Sequence, residues 1–143
     1  MANQSFVGEY HHNVDSKGRL ALPARFRSKI ESGAVLTKGI EPCLYVYPLD
    51  IWEEKGRQFA AAGLNPARRR ALERRFYSLG CECELDGQGR IVIQAKYRQY
   101  AGLNGDAVVV GARDRIEVWS AARWEEYTAA MQEDDLSDLP LPF

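Results

Sequence analysis

The strongest constraint on this chain is a segment that occurs twice in nearly the same form. Val14–Leu22 (VDSKGRLAL) returns 71 positions later (85 − 14) as Leu85–Ile93 (LDGQGRIVI). Leu44–Tyr47 and Ile116–Trp119 match with a shift of 72 (116 − 44), so one residue is gained in between, and we place it around residues 102–104. Two copies are too few for a solenoid, which usually needs at least about three repeats. The duplication therefore predicts a pseudo-twofold domain whose halves complete each other's core.

Each copy has the pattern of a strand, a short helix, a strand hairpin and a longer helix. After the first repeated turn, apolar Leu20 and Leu22 alternate with residues that include Arg19. Because strand side chains alternate between two faces, burying the leucines leaves Arg19 outside. The second copy repeats the alternation, with Ile91 and Ile93 in the core positions. The sequence thus predicts an α+β fold that is mainly β with short helices.

Three longer helices have recognisable starts. Asp50 and Glu53 have the spacing of a capping box, and Ser120 is placed to cap the matching helix of the second copy. Asn65 followed by Pro66 is typical of a helix start, since Asn accepts a free backbone N–H and Pro lacks one. This third helix carries five arginines, which we interpret as a solvated face or a subunit contact; they are Arg68, Arg69, Arg70, Arg74 and Arg75.

Composition excludes several classes of protein. With 143 residues and 45% hydrophobic content, the chain can bury one sizeable core or two small ones. Its apolar runs fall well short of the roughly 18 residues that span a bilayer. The N-terminus lacks a basic-then-apolar signal pattern, so a cytoplasmic location is expected. Three cysteines, an odd number, argue against a secreted disulfide framework.

The net charge of −1 hides a strong segregation of charge along the chain. Residues 11–30 hold five Lys or Arg against one Asp, and residues 65–77 hold five Arg against one Glu. Residues 125–143 hold six acidic side chains and no basic ones. Because a binding surface responds to its local field, the near-neutral total does not exclude an anionic partner such as nucleic acid.

The two Asp-x-x-x-Arg turns carry the strongest functional signal. Arginine suits phosphate or guanine because its planar fork donates two parallel hydrogen bonds, and glycine lets the backbone approach a partner closely. The candidate DNA-binding residues are Lys17, Arg19, Arg25, Gln88 and Arg90, and the residues expected to shape the loops are Asp15, Gly18, Asp86 and Gly89. The alternative is that each aspartate caps its turn and pairs with its arginine only to hold the loop.

More cations follow each turn on the predicted short helices; they are Arg27, Lys29, Lys96 and Arg98. Together with Arg25, they flank the aromatic residues Phe26 and Tyr97. We expect one or two of these cations to contact phosphate and the rest to be solvated. The aromatic side chains are expected to serve the core.

Enzymatic and metal-binding alternatives have little support. Asp15 and Asp86 are symmetric, as in an acid protease, but each is followed within four residues by an arginine that would keep it ionised. Cys81 and Cys83 lie two apart on a predicted strand, without the second closely spaced pair that a structural zinc site needs. The sequence therefore predicts no catalytic residues, no metal and no cofactor.

Asp15–Leu20 followed by Pro23–Arg27 resembles the MraZ family of bacterial transcriptional regulators, and so do Asp86–Ile93 and Leu44–Pro48. The resemblance covers about residues 6–131. It implies a pseudo-twofold pair of AbrB-like swapped-hairpin β-barrel units in each chain. It also implies a ring-shaped homo-oligomer, an octamer or similar, that binds direct repeats in double-stranded DNA upstream of the division and cell wall gene cluster. Such a regulator would be cytoplasmic and associated with the nucleoid.

On this resemblance, residues 6–54 and 81–131 are the two AbrB-like repeats. Residues 55–80 are expected to form an arginine-rich helical connector, and residues 132–143 an acidic, mobile tail.

Carried onto this sequence, the resemblance makes Arg19, supported by Lys17, the main DNA contact and Arg90 its counterpart. Gln88 stands where the first copy has Lys17, so the second loop is expected to bind more weakly or to serve assembly. No membrane and no small-molecule substrate are expected. A different reading is a protein-interaction module whose basic loops bind acidic partner segments.

Overall fold

A computed structural model describes residues 5–133 of the chain. Its strands are β1 (Phe6–Asn13), β2 (Arg19–Ala21), β3 (Ala34–Lys38), β4 (Leu44–Pro48), β5 (Gly80–Cys83), β6 (Arg90–Val92), β7 (Asp106–Arg113) and β8 (Ile116–Ser120). Its helices are α1 (Ala24–Arg27), which continues into a 3₁₀ turn, α2 (Leu49–Ala61), α3 (Pro66–Ser78), α4 (Ala95–Ala101) and α5 (Ala121–Glu133).

Six strands form one antiparallel sheet in the order β1-β7-β8-β4-β3-β5, and β2 pairs with β6 in a separate two-stranded ribbon. The first strand of each repeat pairs with the third strand of the other repeat, β1 with β7 and β5 with β3. The repeats are therefore interleaved, and neither completes its sheet alone. The predicted fold class, a mainly β α+β fold built from a pseudo-twofold swapped pair, is confirmed.

The pseudo-twofold axis passes through two cross-strand pairs. In the ribbon Leu20 lies opposite Ile91, its own equivalent in the second copy. In the large sheet Tyr45 of β4 lies opposite Glu117 of β8, again an equivalent pair. An antiparallel pairing of equivalent residues is what a twofold relation requires, so the sequence repeat is a structural repeat.

The prediction of a single gained residue between the copies is wrong in detail. Ala34 pairs with Pro48, and Ala107 pairs with Ser120, the equivalent of Pro48, so Ala34 corresponds to Ala107 at a shift of 73 (107 − 34). Compared with the first copy, the second copy therefore has two extra residues before β7 and one residue fewer in the turn between β7 and β8. The extra length follows α4, which ends at a left-handed Gly102, whereas α1 ends in a 3₁₀ turn.

The larger core lies between the six-stranded sheet and the layer formed by the ribbon, α1 and α4. Its centre is the predicted apolar set, since Leu20, Leu22, Ile91 and Ile93 are all 0% exposed. The aromatic side chains of the short helices belong to the same cluster, as predicted; they are Phe26 and Tyr97. Burying these residues turns the alternate positions of the ribbon toward the outside.

A second, aromatic cluster covers the opposite face of the sheet. Tyr45 and Tyr47 point to this face and pack with Trp52 of α2 and Trp119 of β8. The ring of Phe76 on α3 stacks on Trp52, with centroids 3.9 Å apart, and fastens α3 to α2. Phe76 of α3 thus faces the protein, whereas Leu72 is 38% exposed, and the arginines of this helix lie on its remaining surface.

Two of the three predicted helix starts are confirmed. The Asn65 side chain accepts the Arg68 N–H at 2.9 Å, and the Ser120 hydroxyl accepts the Arg123 N–H at 3.1 Å. The capping box at Asp50 is wrong, because α2 already begins at Leu49 and Asp50 lies inside its first turn, where it accepts only the next backbone N–H.

No helix in the described part of the chain is long and apolar enough to cross a membrane. The acidic tail predicted at 132–143 lies outside the described residues, apart from the last two positions of α5.

Candidate nucleic-acid interface

The first repeated turn is organised by the carboxylate of Asp15. One oxygen, Oδ1, accepts the backbone N–H of Lys17 and of Arg19, both at 2.9 Å. The other, Oδ2, accepts Nε of the Arg19 side chain at 2.6 Å. The Asp15 carbonyl closes the turn by accepting the Gly18 N–H at 2.9 Å. Asp15 and Gly18 therefore close this turn through their hydrogen bonds, and Asp15 also aims the arginine.

The second turn reproduces this geometry bond for bond. Oδ1 of Asp86 accepts the backbone N–H of Gln88 at 2.8 Å and of Arg90 at 2.9 Å, and Oδ2 accepts Arg90 Nε at 2.8 Å. The Gly89 N–H bonds to the Asp86 carbonyl at 3.0 Å. Two separate sequence segments have thus reached one local structure, although the second turn has Gly87 and Gln88 where the first has Ser16 and Lys17.

Both loop carboxylates are held in the ionised form. The backbone N–H of Arg19 is the largest cause that keeps the pKa of Asp15 below its ordinary value, and the backbone N–H of Arg90 does the same for the pKa of Asp86. Burial acts in the opposite direction, but the remaining bonds and the arginine charges outweigh it. A carboxylate that stays ionised can anchor an arginine over the whole neutral pH range, and it is a poor general acid.

Each loop arginine is anchored at one end and open at the other. Only Nε bonds to the aspartate, and within residues 5–133 the two terminal nitrogens of Arg19 and Arg90 have no partner. The side chains are 34% and 26% exposed, respectively. A guanidinium held through Nε keeps its terminal N–H fork in a fixed orientation, free for a second acceptor.

The ribbon places both arginines on one face. Arg19 lies opposite Val92, and Ala21 lies opposite Arg90. Because Leu20 between them points into the core, these four side chains share the outer face. Arg19 and Arg90 are diagonal neighbours across the ribbon, a relation that separates Cα atoms by about 7–8 Å.

Each loop is bonded to the residue that follows the ribbon strand of the other repeat. The Gly18 carbonyl accepts the Ile93 N–H at 2.7 Å, and the Gly89 carbonyl accepts the Leu22 N–H at 3.1 Å. Both glycines have the positive φ of left-handed backbone, +82° at Gly18 and +74° at Gly89. Glycine adopts this conformation without the steric cost that other residues bear. The structure thus ties the two predicted loops to opposite ends of one shared ribbon.

Two arginines that the sequence analysis treated as solvated or phosphate-binding instead brace these loops. Arg27 Nε donates to the Leu22 carbonyl at 2.7 Å, and Arg98 Nη1 donates to the Ile93 carbonyl at 2.5 Å. Each side chain also lies against the glycine of the other repeat's loop. The prediction that the remaining cations are solvated is therefore wrong for both. The two arginines occupy equivalent positions in the two copies (98 − 27 = 71), and this repetition was the sequence signal for a shared structural role.

Lys29 is a further departure from that prediction. Its ammonium donates to the Ser5 carbonyl and lies 5.3 Å from the centroid of the Phe6 ring. It therefore fastens the start of β1 instead of facing solvent.

The other candidate residues lie at the surface around the ribbon. Lys17 and Gln88 are exposed at matching places in the two turns, and Arg25 is exposed on α1. Lys96 is also exposed and lies over the Tyr97 ring, 5.1 Å from its centroid. The described surface around the ribbon is therefore rich in cations. The side of the first loop has one cation more than the side of the second loop, because Lys17 corresponds to the neutral Gln88.

The three cysteines are free thiols, and burial raises the pKa of Cys83 to about 12. Among the described residues, no three side chains of His, Cys, Asp or Glu are grouped closely enough to hold a metal ion.

The amino-acid sequence of this chain matches a known protein family. The family model described as "MraZ protein, putative antitoxin-like" matches residues 5–75 and 77–140. The protein called transcriptional regulator MraZ in Moorella thermoacetica is 48% identical over 85% of each chain. Proteins of the same name from Desulfitobacterium hafniense and Lactobacillus gasseri are 47% identical over 86% of each chain, and 40% identical over 95% of this chain and 99% of the other. The chain therefore belongs to the MraZ family.

Proposed function

We propose that the protein is a non-enzymatic, sequence-specific DNA-binding regulator of transcription. Its relatives carry the name transcriptional regulator. The observation that carries the proposal is the matched pair of arginines, Arg19 and Arg90, each fastened through Nε with its terminal fork open on the outer face of the ribbon. A purely structural ion pair needs no such duplication at one exposed face.

The outer face has the shape and chemistry for a duplex. The major groove of B-DNA is about 12 Å wide and admits a two-stranded ribbon. The open fork of Arg19 matches two acceptors, either the O6 and N7 atoms of guanine or two phosphate oxygens. Because Asp15 already fixes the side chain, binding costs less of the rotamer entropy that a free arginine would lose.

The candidate residues divide into contacts and supports. Arg19 makes the main contact, Arg90 is its counterpart, and Gln88 offers a neutral amide to the same partner. Phosphate contacts come from the exposed cations of the first side, Lys17 and Arg25. The loop-shaping residues are Asp15, Gly18, Asp86 and Gly89.

We propose further that the protein forms a ring-shaped homo-oligomer, an octamer or similar, which lies in the cytoplasm and is associated with the nucleoid. Several loop pairs would then engage direct repeats upstream of the division and cell wall gene cluster. One pair of loops contacts few phosphates and binds weakly. Joining pairs in one assembly raises the effective concentration of each, and therefore the avidity for repeated sites.

The test compares Arg19→Ala with Arg57→Ala on DNA from upstream of the protein's own gene. Arg57 is an exposed arginine on α2 that pairs with Glu54, so its substitution removes the same charge away from the ribbon. We expect Arg19→Ala to weaken binding roughly tenfold or more and to lower its salt dependence, because a base or phosphate contact is lost in every subunit.

In the same experiment Arg57→Ala should bind as the wild type does. Circular dichroism and light scattering should show an unchanged fold and mass for both variants. An electrophoretic shift that Arg19→Ala leaves unaltered would overturn the proposal.

A further inference from the structure

Val92 is an apolar side chain in the middle of the cationic face. It is 56% exposed and lies on the outer side of the ribbon, directly opposite Arg19. Directly opposed side chains in an antiparallel pair have Cβ atoms about 4.5–5.5 Å apart. The valine is therefore the nearest apolar neighbour that the ribbon gives to this arginine, and the Arg90 side chain leaves the same face two positions earlier.

The fold does not need an apolar residue at this position. The inner face of the ribbon already supplies the core through Leu20 and Ile91, both 0% exposed. The pseudo-twofold equivalent of Val92 is Ala21 (92 − 71), which lies opposite Arg90 and has two fewer side-chain carbon atoms. The two arginines thus have unequal neighbours, although the turns that hold them are matched bond for bond.

We propose that Val92 determines specificity by contacting the C5-methyl group of a thymine beside the base or phosphate bound by Arg19; this inference rests on the proposed function. Base edges in the major groove present hydrogen-bonding groups, and the thymine methyl is their apolar exception. The Cβ atoms of the opposed residues Arg19 and Val92 lie about 5 Å apart. Successive nucleotides of a DNA strand are about 3.4 Å apart. The thymine therefore lies one or two steps from the nucleotide that Arg19 binds.

The asymmetry between Val92 and Ala21 makes the preference one-sided. Beside Arg19 the larger valine reaches further toward a thymine methyl than the alanine does beside Arg90. Each ribbon should then require a thymine on one side of its site only. Repeats bound by successive subunits would be read in one direction, in keeping with direct rather than inverted repeats.

The experiment removes the methyl group from the DNA and from the protein in turn. The probe is the duplex that the protein protects upstream of its own gene or, if none is protected, the duplex it enriches from a randomised pool. Each thymine is replaced singly by deoxyuridine, which keeps the base pairing and lacks the C5-methyl. For wild type, one position per repeat should lose about fourfold in affinity, the value of one buried methyl group.

Val92→Ala should weaken binding to the thymine duplex by at least that factor and should no longer respond to deoxyuridine at that position. Val7→Ala is the matched control, because Val7 is 64% exposed at the other end of β1 from the first loop. The control should keep the wild-type affinity and the wild-type response to deoxyuridine.

The possible results separate this inference from the function on which it rests. Equal deoxyuridine sensitivity in wild type and Val92→Ala, or none in wild type, overturns the role of Val92 while binding that needs Arg19 survives. A protein that binds no duplex, or binds without needing Arg19, overturns the proposed function and this inference with it.

Discussion

The guanidinium of Arg98 lies directly against the α-carbon of Gly18, so that a Cβ atom at position 18 would overlap Nη1 of that arginine. Arg27 and Gly89 stand in the same relation across the pseudo-twofold axis. Each loop is thus closed by a side chain from the other repeat. Each open arginine fork is therefore carried by a loop that packs against the other repeat, because neither loop can shift without displacing the arginine that covers its glycine.

Gly18 and Gly89 should tolerate no side chain. At Gly18 an alanine would combine a φ of +82° with overlap against Arg98, so Gly18→Ala should lower the free energy of unfolding by roughly 1–3 kcal/mol. Gly87 in the second turn has open space around its α-carbon, so Gly87→Ala should change that free energy by no more than about 0.5 kcal/mol. Urea unfolding measures both, and equal losses would contradict the proposed packing.

Substitutions of Arg27, which braces the second loop, and of Arg25, its exposed neighbour on α1, should have different effects on stability and on DNA binding. Arg27→Ala removes the bond to the Leu22 carbonyl and the cover over Gly89, and should lower the free energy of unfolding by about 1–2 kcal/mol. Arg25→Ala should leave stability within about 0.5 kcal/mol of wild type and weaken DNA binding at low salt. Chemical unfolding and filter binding separate the two, and a stability loss at Arg25 alone would reverse the assignment.

The loop carboxylates should contribute to acid sensitivity. Folding holds the pKa of Asp15 and of Asp86 below the ordinary 3.8, so their contribution is fully present above that pH. It is lost as the pH falls through the folded-state pKa, because the unfolded chain binds the protons first. The stability advantage of wild type over the double variant Asp15→Asn, Asp86→Asn should therefore shrink as the pH falls below about 3.8. Parallel stability curves over that range would contradict this.

The two loops should respond oppositely to an exchange of Lys17 and Gln88, which stand at the same position of the two turns. Lys17→Gln should reduce the slope of log affinity against log salt by about one for each contacting subunit, since one phosphate contact disappears. Gln88→Lys should steepen the slope by a similar amount. Fluorescence anisotropy over a salt series measures both, and an unchanged slope in both variants would show that these positions do not face the DNA.

Much of the candidate site was predictable because its chemistry is local. Asp15 and Arg19 lie four residues apart in a turn, and the same spacing at Asp86 and Arg90 doubled the signal. Strict alternation placed Leu20 inside and Arg19 outside without knowledge of the partner strand. These inferences held because turn geometry and strand alternation act over a few residues.

The errors concern contacts between distant parts of the chain. The sequence predicts that Arg27 and Arg98 are surface cations on short helices, because no neighbouring residue indicates that each covers a glycine of the opposite repeat. The capping box at Asp50 failed because α2 begins at Leu49, whose backbone N–H donates to the distant Gly33 carbonyl at 3.2 Å. In the same way, no local pattern shows where two residues enter before β7 and one is lost after it.

The sequence by itself determined the duplication, the inward and outward faces of each strand, and the self-contained Asp–Arg turns, because repetition, periodicity and short-range hydrogen bonds are all written in neighbouring residues. Only the tertiary structure decided that β2 pairs with β6 about the Leu20–Ile91 contact, so that Arg27 and Arg98 cross to the opposite loops and Val92 stands against Arg19. These relations join residues some seventy positions apart (91 − 20 = 71), and they exist only when the whole core has assembled around them.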